Sequence, residues 1–143
     1  MSGKFFLDTN IFIYSFDDTA PAKAKRSLEL VREAVTTRKG IVSYQVVQEF
    51  FNFALRRAVP PMTTPDAEQY LNTIFRPLLA VHSSQTLFAE ALRVQAKHKF
   101  SWHDSLIVAA AIEADCSILY SEDLQHDQRC GNLRIKNPFA ENP

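Results

Sequence analysis

The sequence predicts an α/β fold, a central and mostly parallel sheet with helices on both faces, built as one domain over residues 1–143. Three observations carry this reading. Short apolar runs without alternation, among them Phe5-Phe6-Leu7, Ile41-Val42 and Ser117-Ile118-Leu119-Tyr120, have the character of strands covered on both faces. Segments with apolar residues at helical spacing separate these runs, which is the alternation of a parallel sheet. Two of the runs end abruptly in polar and acidic clusters, Asp8-Thr9-Asn10 and Ser121-Glu122-Asp123, and the carboxyl edge of such a sheet is where ligands sit.

In chain order, the strand Phe5–Leu7 leads into Asp8. Read alone, Asp8 serves equally well as a cap, with Thr9 and Asn10 as turn formers. Ile11–Tyr14 continues as a short helical turn or loop. Asp17-Asp18-Thr19 with Pro21 has the form of a helix start. Ala24, Leu28, Val31 and Val35 then form the apolar stripe, Lys23, Lys25, Arg26 and Arg32 lie on or beside the outer face, and Gly40 ends the helix. Ile41-Val42 is a strand and Ser43 caps the next helix, with Val46, Val47, Phe50, Phe51, Ala54 and Leu55 as its stripe. Glu49 lies within that helix and shares a face with Asn52 three residues on. A solvated glutamate is the ordinary expectation, but apolar and amide neighbours on that face count against it.

Arg56 and Arg57 stand near the helix end, and Pro60-Pro61 closes it. Thr64-Pro65 opens a further helix with Tyr70, Leu71, Ile74 and Phe75 inward, before a strand at Leu78-Leu79-Ala80-Val81. Ser83 or Ser84 caps a helix carrying Leu87, Phe88, Ala91, Leu92 and Val94, with Arg93, Lys97 and Lys99 making its far end basic. Ser101-Trp102-His103-Asp104 matches the Ser-x-x-acid capping pattern, and Ser105–Ala114 is nearly all apolar, the pattern of a buried helix. After the strand ending at Tyr120, polar loop leads to a short edge strand at Leu133-Arg134-Ile135 and a Pro138-Phe139 tail.

Composition narrows the function classes. Sixteen basic and sixteen acidic residues cancel, so nucleic acid would be held by local patches and recruited cations rather than by bulk charge. The three glycines, Gly3, Gly40 and Gly131, form no nucleotide-cradling loop. No GxSxG or HExxH occurs, and His82, His98, His103 and His126 lack metal-site spacing, which leaves them as surface or supporting residues. Cys116 and Cys130 read as free thiols. The opening Met1-Ser2-Gly3-Lys4 has no secretory character and no run approaches the ~20 residues of a membrane helix. A cytoplasmic protein is expected.

The acids carry the chemistry. Strand ends in a parallel sheet face one way, so Asp8 and Asp123 share an edge, joined by Asp104 at a helix start and Glu49 on a helix. Two such charges ~4 Å apart repel by about 4 kcal/mol at an effective dielectric of ~20. Protonation or a bound cation relieves that, and all-oxygen ligands select Mg²⁺ or Mn²⁺. One or two such ions on carboxylates suit phosphoryl transfer.

The ordered set Phe6-Leu7-Asp8-Thr9-Asn10, Gln48-Glu49-Phe50, Trp102-His103-Asp104-Ser105-Leu106-Ile107-Val108-Ala109-Ala110-Ala111 and Leu119-Tyr120-Ser121-Glu122-Asp123-Leu124-Gln125-His126 resembles the PIN-domain nucleases, and within them the VapC-like toxins of type II toxin–antitoxin pairs. The resemblance implies a PIN-like three-layer α/β/α sandwich and a metal-dependent endoribonuclease. It implies Asp8, Glu49, Asp104 and Asp123 as catalytic acids and ligands of Mg²⁺ or Mn²⁺, with Thr9, Asn10 and Ser121 in support and Glu122 a poorer ligand than Asp123. It implies an RNA substrate, a small antitoxin as partner and a homodimer. Arg56, Arg57, Lys97, Lys99 and Arg129 are the candidate RNA contacts. Asp127 departs from the pattern, since many relatives carry glycine there; the extra acid either tunes metal or RNA affinity or faces solvent.

Two other readings compete. A haloacid-dehalogenase-like phosphatase also places an aspartate after its first strand, but wants Asp-x-Asp where this chain has Asn10. A PIN-like module that binds RNA or antitoxin without cutting is the non-enzymatic alternative, opposed by the intact acid set.

Overall fold

The computed structural model describes residues 3–140; Met1 and Ser2, where the absence of a secretory signal was expected, lie outside the described residues, as do residues 141–143. Among the described residues six strands, β1 (Phe5–Leu7), β2 (Gly40–Ser43), β3 (Leu79–Val81), β4 (Ile118–Tyr120), β5 (Arg129–Cys130) and β6 (Leu133–Lys136), form one sheet in the order β3-β2-β1-β4-β6-β5. All neighbours are parallel except β5 against β6. Phe5, Phe6 and Leu7 are all buried. Successive side chains of a strand point to opposite faces, so both faces of β1 are covered, as its unbroken apolar run predicts. Among the described residues no helix is long and apolar enough to cross a membrane.

The helices are α1 (Thr9–Tyr14), α2 (Pro21–Thr37), α3 (Tyr44–Ala54), α4 (Thr64–Tyr70), α5 (Arg76–Leu78), α6 (Gln85–His98) and α7 (Trp102–Glu113), with a π-helical turn over Leu71–Phe75 joining α4 to α5. The chain runs from β1 to β2 to β3 in one direction and then crosses to β4 on the other side of β1. Right-handed crossovers therefore put α1–α5 on one face and α6–α7 on the other. In agreement, α1 packs on α2 and α3, and α6 packs along α7. Phe12 of α1, Phe50 of α3 and Phe75 of the π turn meet edge-on or tilted at 4.9–6.4 Å, and Tyr70 stacks on Phe50 at 4.9 Å. This aromatic knot locks α1 to α3, and with them the residues beside Thr9 and Glu49.

Several local expectations are corrected. Gly40 is not a helix cap: α2 ends with Arg38 in the left-handed region, and Gly40 opens β2. A Cβ at Gly40 would stand 2.1 Å from the Ala34 Cβ, so glycine is there for the close approach of α2 to the sheet. The buried face of α2 is Ser27, Leu30, Val31 and Ala34; of the expected stripe Val31 is buried and Val35 packs against the core, whereas Leu28 is exposed. Ala20 rather than the preceding acids occupies the cap position, although Pro21 is at the first turn as expected. Ser43 precedes α3, but its hydroxyl makes no cap bond and has no partner. Leu55, Leu71, Phe88 and Leu92 are exposed, and Leu78 closes α5 instead of opening β3. The strand at Leu133 is internal, because the two-residue β5 folds back and takes the edge.

Candidate active site

The order of strands reverses between β1 and β4, and their carboxyl ends lie side by side: the Asp8 amide donates to the Tyr120 carbonyl at 3.1 Å. A crevice at such a reversal is the usual ligand site of an open α/β sheet. Here it is a cleft of about 410 Å³ lined by Asp8, Thr9, Asn10, Glu49, Asp104 and Asp123, with Ile13, Gln45, Asn52, Phe53, Arg57, His103 and Ile107.

Each acid is placed by its own local device. Asp8 caps α1 in extended backbone, and its Oδ1 accepts the Thr9 amide at 2.7 Å. Its Oδ2 accepts the hydroxyl of Ser121, which is fully buried under the cleft, at 2.8 Å. The same Ser121 oxygen accepts the Asp123 amide at 3.2 Å, so one hydroxyl ties the ends of β1 and β4 together. Thr9 donates its hydroxyl to Glu49 Oε1 at 2.6 Å, bridging α1 to α3. Asn10 Nδ2 donates to Asp123 Oδ2 at 3.3 Å. Ser101 Oγ accepts the Asp104 amide at 3.1 Å, so the expected cap forms and leaves the Asp104 carboxylate in the first turn of α7, lining the cleft.

Charge is concentrated here. Burial pushes the Asp8 carboxyl up to about 7, against the opposing bonds from Ser121 and Thr9, and the carboxylates of Asp123 and Glu49 push the same way. Asp123 is raised as well, first by burial and then by Asp104, Glu122 and Glu49. As the side chains stand, no three His, Cys, Asp or Glu residues among those described are close enough to enclose an ion. The donor chemistry nevertheless fits a hard divalent cation: the acids are all-oxygen and mutually repelling, and Arg57 is the cleft's single Lys or Arg among the described lining.

The expected residues divide clearly. Asp8, Glu49, Asp104, Asp123, Thr9 and Asn10 share the cleft, with Ser121 beneath it. Glu122 turns away, receiving the Tyr14 hydroxyl and the Lys23 ammonium. Burial raises its carboxyl, but the bonds from Lys23 and Tyr14 outweigh this and hold it below the usual range. Of the five candidate RNA contacts only Arg57 lines the cleft. Lys97 instead lines a cleft of about 310 Å³ with Cys116 and Cys130, beside the start of β4 and so at the opposite edge of the sheet. Asp127 pairs with Lys136 at 3.0 Å and with His126 at 3.3 Å. Its φ of 66° is the left-handed backbone that glycine adopts freely and aspartate tolerates. Gln45 was not anticipated. It donates to the His103 carbonyl at 3.2 Å and to Glu49 Oε2 at 3.5 Å, joining α3 to the start of α7; its one sequence signal was lying four residues before Glu49.

A sequence profile for the PIN domain matches residues 5–132. The chain belongs to the PIN-domain family. No curated protein matches it in sequence. Among solved structures, this PIN domain resembles FitAB bound to the IR36 DNA fragment, with TM-score 0.69 and 14% identity over 97% of this chain and 98% of that one. It resembles VapBC2 from Rickettsia felis, bound to a DNA fragment from its promoter, with TM-score 0.60 and 18% identity over 92% and 96% of the two chains. It also resembles VapC20 of Mycobacterium tuberculosis, a toxin that cleaves the sarcin-ricin loop, with TM-score 0.59 and 14% identity over 82% and 88%. At these identities the likeness is one of fold.

Proposed function

We propose that this PIN domain is a metal-dependent endoribonuclease and the toxin of a toxin–antitoxin pair, acting as a single cytoplasmic domain. The observation that carries the reading is the convergence of Asp8, Glu49, Asp104 and Asp123, from four separate segments, on one cleft at the sheet's reversal point. The PIN-domain family of the chain supports the reading, as do the solved structures named above, among them VapBC2 and a toxin that cleaves the sarcin-ricin loop.

In this reading Asp8, Glu49, Asp104 and Asp123 would hold Mg²⁺ or Mn²⁺, which when bound supplies an activated water and neutralises charge on the phosphate. Ser121 and Thr9 fix the carboxylates of Asp8 and Glu49 by direct hydrogen bonds. Asn10 orients Asp123. Arg57 at the cleft wall attracts the RNA backbone, and the surrounding acids set a cation requirement for its approach. A small antitoxin protein would cover the cleft, and a homodimer is the expected assembly.

Incubating total RNA with the purified protein tests this, with Mg²⁺ or Mn²⁺, with EDTA, and with the Asp8→Asn variant. Discrete metal-dependent fragments absent from the variant are expected. Metal binding without cleavage of any RNA would instead establish the non-cleaving module.

A further inference from the structure

Glu122 is the acid that the cleft does not use. Its carboxylate accepts the Tyr14 hydroxyl on one oxygen and the Lys23 ammonium, at 2.5 Å, on the other. An exposed ion pair on its own adds little, but Lys23 is not a free surface cation. Its nitrogen stands 4.7 Å from the centroid of the Tyr14 ring and 5.4 Å from that of Phe139. Those two rings meet edge to face at 5.3 Å. The ammonium is thus held by a carboxylate and two aromatic faces, and the three partners come from α1, the β4–β5 loop and the tail. Glu122 lies between Ser121 and Asp123, whose amide–hydroxyl bond sits directly on Asp8.

We infer that Glu122 is a positioning residue: clamped by Tyr14 and Lys23, it fixes the Ser121–Asp123 turn and so sets Asp123 and the Ser121 hydroxyl against Asp8. For its link to chemistry this rests on the nuclease reading; the clamp itself does not. Pulling residue 122 outward holds the peptide between Ser121 and Asp123 in the turn that aims Asp123 at the cleft. Without the clamp, the Asp123 carboxylate is guided by its bond from Asn10 at 3.3 Å, which is long for a charge-assisted contact.

The variants are Lys23→Met, which keeps the stem, Tyr14→Phe, which keeps the ring against Phe139, and Lys23→Arg as the conservative control. Amide exchange measured by NMR on the metal-free protein reads the turn directly. Lys23→Met and Tyr14→Phe are expected to speed exchange of the Asp123 amide by about tenfold, the loss of one bond to a charged group, with little change in the urea midpoint. Lys23→Arg restores protection. Calorimetry with Mn²⁺ alone is expected to show affinity lowered by about tenfold, the usual effect of removing a group that orients a ligand. Cleavage of RNA recovers at saturating Mn²⁺, because the clamp touches no reacting atom. Unchanged Asp123 exchange in both variants would overturn the clamp. Unchanged Mn²⁺ affinity beside faster exchange would overturn its role in the site. A wild-type protein that neither binds Mn²⁺ nor cuts RNA defeats the nuclease reading, while the exchange data still decide the clamp.

Discussion

The Ser121 hydroxyl donates to Asp8 Oδ2 at 2.8 Å from a fully buried position. This bond joins the ends of two adjacent parallel strands and opposes the burial that raises the Asp8 carboxyl. Ser121→Ala leaves a buried acceptor unmet, so a loss of about 1–3 kcal/mol in stability is expected. The Asp8 carboxyl should also rise further, moving the acid limb of metal-dependent cleavage to higher pH. Urea denaturation and a pH–rate profile check the two effects.

Asp8 gives a pH dependence of definite sign. Burial pushes its carboxyl up to about 7 from the ordinary 3.8, so the folded protein holds this proton more tightly than the unfolded chain. The stability it contributes is complete below about 4 and is lost as pH rises through about 7. The rise corresponds to at most about 4 kcal/mol. Asp8→Asn should remove this trend and, in EDTA, be more stable than the wild type at pH 8 and not at pH 5. Urea midpoints at the two pH values decide it; parallel shifts would show that Asp8 ionises as an ordinary carboxylate.

Capping and chemistry can be separated at the start of α7. Ser101 supplies the cap, accepting the Asp104 amide at 3.1 Å, whereas the Asp104 carboxylate lines the cleft. Ser101→Ala should cost about 1 kcal/mol of stability with metal-saturated cleavage retained. Asp104→Asn should keep the thermal midpoint near that of the wild type and abolish cleavage. Activity in Asp104→Asn equal to the wild type would remove that residue from the catalytic set.

Gly40 is constrained by packing. A methyl group there would meet the Ala34 Cβ at 2.1 Å and its Cα at 2.7 Å, backbone that can shift only by lifting α2 from the sheet. Gly40→Ala is expected to destabilise by about 1–3 kcal/mol, the range of overpacked cores. A calorimetric scan measures it.

What the sequence made legible was whatever depended on local pattern. The unbroken run Phe5–Leu7, the Ser101 cap and the apolar run Leu106–Ile112 of α7 needed no partner to be recognised, and they located Asp8 and Asp104. The acids followed because strand polarity alone decides which edge Asp8 and Asp123 occupy. Contacts set by tertiary approach stayed hidden. The exposure of Leu28 beside buried Ser27 depends on which way α2 lies, and Gly40 owes its identity to Ala34 on another element. The expected edge strand at Leu133 is internal because the reversal at Gly131, with φ of 61°, folds β5 over it. Gln45 lies four residues before Glu49 in α3, but its bond to the His103 carbonyl comes from the approach of α7, which no spacing in its own segment reveals.

The four cleft acids lie at positions 8, 49, 104 and 123, and their order in the chain is also an order in time. During translation Asp8 and Glu49 leave the ribosome more than fifty residues ahead of Asp104, and Ser121, which seats Asp8, comes later still. A nascent chain therefore carries half of the cleft's acids and none of β4, the strand that leads to Ser121. The cleft is therefore completed only at the end of synthesis, when β4 slots in beside β1.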